Sequence, residues 1–392
     1  SDPQVSPDGQ YVVYTVSRTD VDANSRASAL FIKSLSDDSA ARRMGISDDG
    51  ANTARWGADG SLYFLSGRSG SSQVWKTDTS GATASQVTDL ALDVNAYRLS
   101  PDASHLAVSL AVFPDCADIA CTVERMTAES ERKSTGRVYD RMFARHWDTW
   151  NDGTQNHLFV VPTSGGEAIW VTRGFDGDTP SKPFGDENEF TFTPEGDAVV
   201  FAARVAGNSE PWSTNFDLFR TNGFSGDATF ENLTDDNDAW DTGPVFSPDG
   251  RTLAYRAMSR PGFEADRFAI MLRDVATGQT RQIAANWDRS ADSLQWSADG
   301  NTIYVTAGDV GQTRLFSVDT TNGVVVPITG PGHVSAVAQT PSGFVFAQDS
   351  LTRPSELFVK TFRGRELPRR ITDVNPQLDE KVFGDGEQVT FA

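Results

Sequence analysis

Apolar positions in this chain fall in short alternating runs, each entered through a polar turn. An apolar residue precedes Ser/Thr-Pro/Ala-Asp-Gly or a close variant, and an alternating apolar run follows. Seven copies are readable, beginning at Ser6, Gly57, Ser100, Thr193, Ser247, Ser297 and Thr340. In such a turn proline fixes φ, aspartate bonds the backbone ahead of it, and glycine takes the positive φ of a tight reversal. Each copy therefore predicts a hairpin. A third apolar run follows, as in Ala29-Leu30-Phe31-Ile32, Gln73-Val74-Trp75-Lys76, His157-Leu158-Phe159-Val160 and Arg314-Leu315-Phe316-Ser317. A fourth ends in threonine at Thr88, Thr172, Thr234, Thr329 and Thr372.

Successive copies are spaced 51, 43, 93, 54, 50 and 43 residues apart. Four short strands per period is the pattern of a β-propeller blade, and a β-sandwich does not predict evenly spaced copies. The expected fold is all-β: a seven-bladed β-propeller over residues 1–380, with no strand swapped between first and last blades. The 93-residue gap is about one period plus some forty residues, which places a partly helical insertion at about 113–155, in blade three. Val138, Tyr139, Met142, Phe143 and His146 form one apolar stripe at helical spacing and predict a helix there. Upstream, Glu124 to Lys133 is mostly charged. Residues 381–392 read as the start of a linker or strand toward a further domain.

Charge narrows the partners. With 34 Lys+Arg against 54 Asp+Glu the chain carries -20, so nucleic acid and anionic membrane are poor partners, and no apolar stretch is long enough to cross a bilayer. The N-terminal residues lack the basic and apolar regions of a signal peptide. The two cysteines, Cys116 and Cys121, are five apart. They are either a disulfide ring, which implies an oxidising compartment, or two unrelated thiols. With no other ligand residues clustered nearby, the ring is the preferred reading and zinc is not expected.

Catalytic motifs are missing from the sequence. There is no Gly-x-Ser-x-Gly elbow, no phosphate loop, and none of His105, His146, His157 and His333 forms a His-Glu-x-x-His pair. The acidic loops Asp235-Asp236-Asn237-Asp238 and Asp176-Gly177-Asp178 lack the full spacing of a calcium loop. Neither a cofactor nor a metal is expected.

The repeats Ser6-Pro7-Asp8-Gly9 and Ser247-Pro248-Asp249-Gly250, the segment Arg145-His146-Trp147-Asp148-Thr149-Trp150, and the tail Ile371-Thr372-Asp373-Val374-Asn375-Pro376-Gln377-Leu378 resemble the propeller of prolyl oligopeptidase family serine peptidases. The bacterial dipeptidyl aminopeptidase/acylaminoacyl-peptidase branch is the nearest likeness. The resemblance implies a C-terminal α/β-hydrolase domain carrying the catalytic triad, and a propeller that gates that site and selects short peptides, in a periplasmic or secreted enzyme. It also implies a carboxylate near the site mouth for the substrate α-amino group. The candidates are Asp148 and Asp152, then Glu124, Glu129 and Glu131, with Arg145, Trp147 and Trp150 beside them as substrate-binding residues. The alternative is a self-standing TolB-like periplasmic binding propeller.

Overall fold

The computed structural model describes residues 1–392 except 140–141, 226–228, 363–365, 379, 385, 388, 390 and 392. Among the described residues the strands form five four-stranded antiparallel sheets, over residues 4–43, 52–86, 96–170, 190–232 and 241–283, a two-stranded hairpin at 145–150 and an eight-stranded sheet over 295–370. The last divides into two four-stranded halves, 295–327 and 333–370, which touch through one parallel pair, Thr313 with His333. Strands are neighbours in chain order throughout. The repeats therefore lie where the sequence puts them, one hairpin to each four-stranded group.

The turn chemistry explains the regularity. In four of the turns a serine hydroxyl donates to the aspartate two residues on, at 2.5 to 2.7 Å: Ser6 to Asp8, Ser100 to Asp102, Ser247 to Asp249 and Ser297 to Asp299. The same hydroxyl accepts from the N–H five residues ahead, which starts the next strand. Proline and glycine also link one turn to the next. A methyl group added at Gly250 would stand 2.9 Å from Pro194, and one at Gly9 would stand 2.6 Å from Pro341. Gly196 and Gly300 likewise face Pro101 and Pro248, so four of the turns rest on the turn of the preceding group, the first of them on the last. At the other end the five expected threonines act as hydrogen-bond acceptors, among them Thr88 for Val74 N–H and Thr372 for Leu357 N–H.

Burial follows the same cyclic order. Tyr63 and Val74 of the second sheet pack on Leu106, Val108 and Phe159 of the third. Val12 and Tyr14 of the first pack on Val345, Ala347 and Leu357 of the last. Each neighbouring pair of sheets shares one such apolar cluster, and each fully buried large apolar side chain contributes roughly 1.5–3 kcal/mol. First and last groups share the Val12, Tyr14, Val345, Ala347 and Leu357 cluster.

Strand direction defines two faces. The first and third strands of a group run the same way, as do the third strand of one group and the first of the next, seen in the parallel contacts Thr313 with His333 and Phe216 with Trp240. One face therefore carries the Ser-Pro-Asp-Gly turns. The opposite face carries the second-to-third strand loops and the links between groups, together with the chain before Gln4 and after Arg370. These are the turn face and the connection face below.

The insertion lies on the connection face, between the strands His105–Val112 and Gln155–Pro162, close to its expected limits. Its helix is displaced from the expected place. Ile119–Glu131 is helical, whereas Val138, Tyr139, Phe143 and His146 are not, and Arg145–His146 pairs instead with Thr149–Trp150 in a short hairpin. The charged segment folds because Asp118 caps it, accepting from Cys121 N–H at 2.8 Å, while Ile119 and Val123 reach the core between the second and third sheets. The apolar stripe is consumed by ring stacking, described below. Cys116 and Cys121 are joined, with Cα atoms 5.6 Å apart, so the expected ring forms just where the helix begins. Beyond Arg370 the described residues include one 3₁₀ turn, Pro376–Leu378, and no strand. Part of the 381–392 segment lies outside the described residues.

Candidate functional site

The candidate residues sit on one hairpin that projects from the connection face. Trp147 occupies its tip with φ +48°, and Arg145 turns its guanidinium back to donate to Trp147 C=O. Asn151 closes the base, donating from its N–H to Ala144 C=O at 3.0 Å. Arg145 is thereby spent on local structure.

Aromatic rings hold the hairpin in place. Tyr139 stacks on Trp150 with centroids 6.1 Å apart. His146 touches Phe143, Trp147 and Phe184 at 5.7 to 5.9 Å, and Trp147 meets Phe184 at 5.2 Å. Even so, Trp147 stays 72 %, Trp150 57 % and Phe184 69 % exposed. Trp212, on a neighbouring loop of the same face, is also exposed. These exposed aromatics gather on the connection face.

The two leading carboxylates differ. Asp152 accepts from Thr154 N–H and its hydroxyl, at 2.9 and 2.7 Å, so it shapes the return to the sheet. Asp148, at the tip beside Trp147, is exposed and makes no hydrogen bond or ion pair among the described residues. Of the helix candidates, Glu129 lies 3.9 Å from Arg125, which itself covers the Phe113 ring and pairs with Asp115 at 2.8 Å. Glu124 and Glu131 are exposed on that helix. The structure thus brings Trp147, Asp148 and Trp150 together at a free edge and assigns Arg145 and Asp152 to the scaffold.

A link between sheets, residues 171–189, braces the hairpin from below. Lys182 Nζ donates to Thr154 C=O at 2.7 Å and to its hydroxyl at 2.9 Å. Asp178 accepts from Asn156 N–H at 2.7 Å; burial pushes its carboxyl up to about 6, against the pull of Lys182. Further along, Glu187 pairs with Arg55 of the second sheet, which also pairs with Asp2 at 2.8 Å. Arg98 of the third sheet donates to Glu187 C=O and to Asn188 Oδ1. Burial works to lower the Arg55 value, and the two carboxylates outweigh it and raise it; Arg98 is lowered by burial. This network ties four sheets at the inner strands. Sequence reading missed it because its bonded partners lie up to 132 residues apart, with no motif to announce them. Phe184 was missed for the same reason.

Among the described residues no three His, Cys, Asp or Glu side chains come together as metal ligands. What the site offers chemically is an exposed aromatic edge with one uncommitted carboxylate, held by a buried ionic base.

The mostly β architecture is that of a propeller. Its structural neighbours include the β-propeller domain of the trilobed protease from Pyrococcus furiosus, with TM-score 0.60 and 14 % identity, covering 97 % of this chain and 98 % of that one. The acylaminoacyl peptidase of Pyrococcus horikoshii matches with TM-score 0.69 and 17 % identity, over 98 % of this chain and 54 % of that one. No family model matches the sequence. Sequence relatives include dipeptidyl-peptidase 5 of Porphyromonas gingivalis, 28 % identical over 364 residues, 91 % of this chain and 52 % of the relative. Its counterpart from Porphyromonas endodontalis is 29 % identical over 90 % of this chain and 51 % of the relative. The resemblance to the peptidase propeller is borne out, and the chain spans about half the length of the curated relatives it matches.

Proposed function

We propose that this chain is the seven-bladed propeller of a periplasmic or secreted serine peptidase that releases short N-terminal units from peptides, its ring closed without strand exchange. The observation that carries the reading is coverage: the chain aligns with about half of dipeptidyl-peptidase 5 and leaves the rest unaligned. The missing half is read as an α/β-hydrolase domain that supplies the nucleophile. Seven four-stranded groups and the apolar cluster between the first and last support the ring; the disulfide supports an oxidising compartment.

The connection face is the side read as covering the hydrolase, because the chain leaves the last sheet there and the hairpin projects there. A cap in that position restricts access to small substrates and adds contacts remote from the scissile bond. Asp148 then serves the substrate α-ammonium, with Trp147 and Trp150 as apolar walls. The test is labelling with a fluorophosphonate probe. The parent polypeptide should be labelled and should hydrolyse dipeptidyl substrates, whereas residues 1–392 alone should do neither. A parent no longer than this chain, or one that stays unlabelled, would refute the reading.

A further inference from the structure

The first sheet contains a strand edge with no partner. Its two central strands, Tyr11–Asp20 and Ser25–Ser34, pair over ten residues, but their outer neighbours are two residues long, and the last of them reaches only Phe31 and Ile32. Leu30 turns both backbone groups outward, donating its N–H to the Ser47 hydroxyl and accepting from Met44 N–H, each at 2.9 Å. With the two-residue period of a strand, Ser28 and Arg26 turn theirs outward as well. Among the described residues nothing meets those two N–H and two C=O groups.

The edge opens into a cavity of about 1570 Å³ on the connection face, between this hairpin and the 369–377 segment. In a chain of -20 this cavity is basic: Arg18, Arg26, Lys33, Arg43, Arg369 and Arg370 line it. Its three aspartates are already taken, Asp48 by Arg43, Asp38 by Arg369 at 3.5 Å and Asp373 by Arg370 at 3.6 Å. Lys33 donates to Ser39 C=O at 2.6 Å. Arg18 and Arg26 make no hydrogen bond or ion pair among the described residues. They belong to adjacent cross-strand pairs, Arg18 with Ala27 and Arg26 with Thr19, and so flank the free edge from opposite sides of the hairpin.

We propose that this edge takes up an extended, acidic peptide segment of a separate molecule as an added strand, with backbone pairing to Arg26 and Ser28 and its carboxylates on Arg18 and Arg26. Strand addition supplies affinity through main-chain bonds, and the flanking side chains supply selectivity. A charged residue that only guards an edge against pairing needs neither the hollow beside it nor a second unpaired arginine across the hairpin. The site shares the connection face with the proposed hydrolase contact, but its binding is read on residues 1–392 alone and needs no catalysis, so its fate and that of the peptidase reading are separable.

The experiment is fluorescence anisotropy with a labelled, acetylated Val-Glu-Glu-Glu-Glu-Val peptide, whose consecutive glutamates alternate between the two faces of an added strand, and the 392-residue chain. Saturable binding is expected, weakened at least tenfold by exchanging glutamate for lysine in the peptide, and weakened likewise by R18E/R26E. Ser28→Pro, which removes one outward N–H on an edge strand that tolerates proline, should abolish binding while circular dichroism shows the fold retained. Absence of saturable binding, or binding indifferent to R18E/R26E, overturns the proposal. Binding that appears only once residues 379–392 are deleted would give the edge to the chain's own tail and overturn it equally.

Discussion

On the turn face the carboxylates of Asp8, Asp102, Asp249 and Asp299 accept from neighbouring hydroxyls and N–H groups, and these bonds hold them below the ordinary range, Asp102 down to about 2. On the connection face Asp178 is half-buried and Asp241 fully buried, and desolvation pushes them up, to about 6 and about 8. One residue type is used in two ways. On the turn face it is a repeated, solvent-exposed device that starts strands. On the connection face it is a singular, buried group at a junction between sheets, where repetition ends and the hairpin and loops differ from sheet to sheet. The irregular face is the one proposed to bind, and the regular one carries the repeated turns.

Asp241→Ala should have the largest effect on stability. Asp241 is fully buried and accepts from Asn237 Nδ2 at 2.9 Å, so the change should cost up to about 3 kcal/mol in denaturant unfolding. Its pH dependence has a definite sign. Between about pH 4 and pH 8 the native acid keeps a proton that the unfolded chain has lost, so its stabilising contribution is full below about pH 4 and fades as pH rises through 8. Unfolding at pH 5.5 and 8.5 should show this decline, and Asp241→Asn should flatten it.

Removing the ring with C116S/C121S should cost about 2 kcal/mol if unfolding is all-or-none, and should loosen the Ile119–Glu131 helix first. Amide exchange that speeds up evenly over the chain, rather than in the insertion, would erase the distinction between the faces. The smallest effect belongs to Asp102→Ala on the turn face. The sign is reversed there: a lowered carboxyl stabilises above its unfolded value, and the benefit disappears as pH falls toward 2. Melting near pH 7 should drop less than for either connection-face change.

The turn face was legible in the sequence because its chemistry is local. Ser6, Asp8 and Gly9 make their bonds within five residues of each other, and seven repetitions remove the ambiguity of any single copy. The cysteine pair was legible for the same reason. The helix was misplaced because Tyr139 and Phe143 look like one face of a helix but spend their rings on Trp150 and His146. The actual helix owes its start to one cap and two core contacts. Arg55, Glu187 and Phe184 act across distances that no spacing reveals. Among the candidate residues, the pattern identified the hairpin, but it could not separate Asp148, left free, from Asp152, bound to Thr154.

Kinetics of the parent polypeptide on short peptides test the division of labour most directly. Asp148→Ala and Trp150→Ala on the hairpin are to be compared with Asp249→Ala on the turn face, each with unchanged secondary structure. A fall in kcat/KM of roughly tenfold or more for the hairpin variants, equivalent to at least about 1.4 kcal/mol of lost transition-state binding, and none for Asp249→Ala, is the predicted result. Equal kcat/KM for all three would contradict it and leave the hairpin a structural element alone.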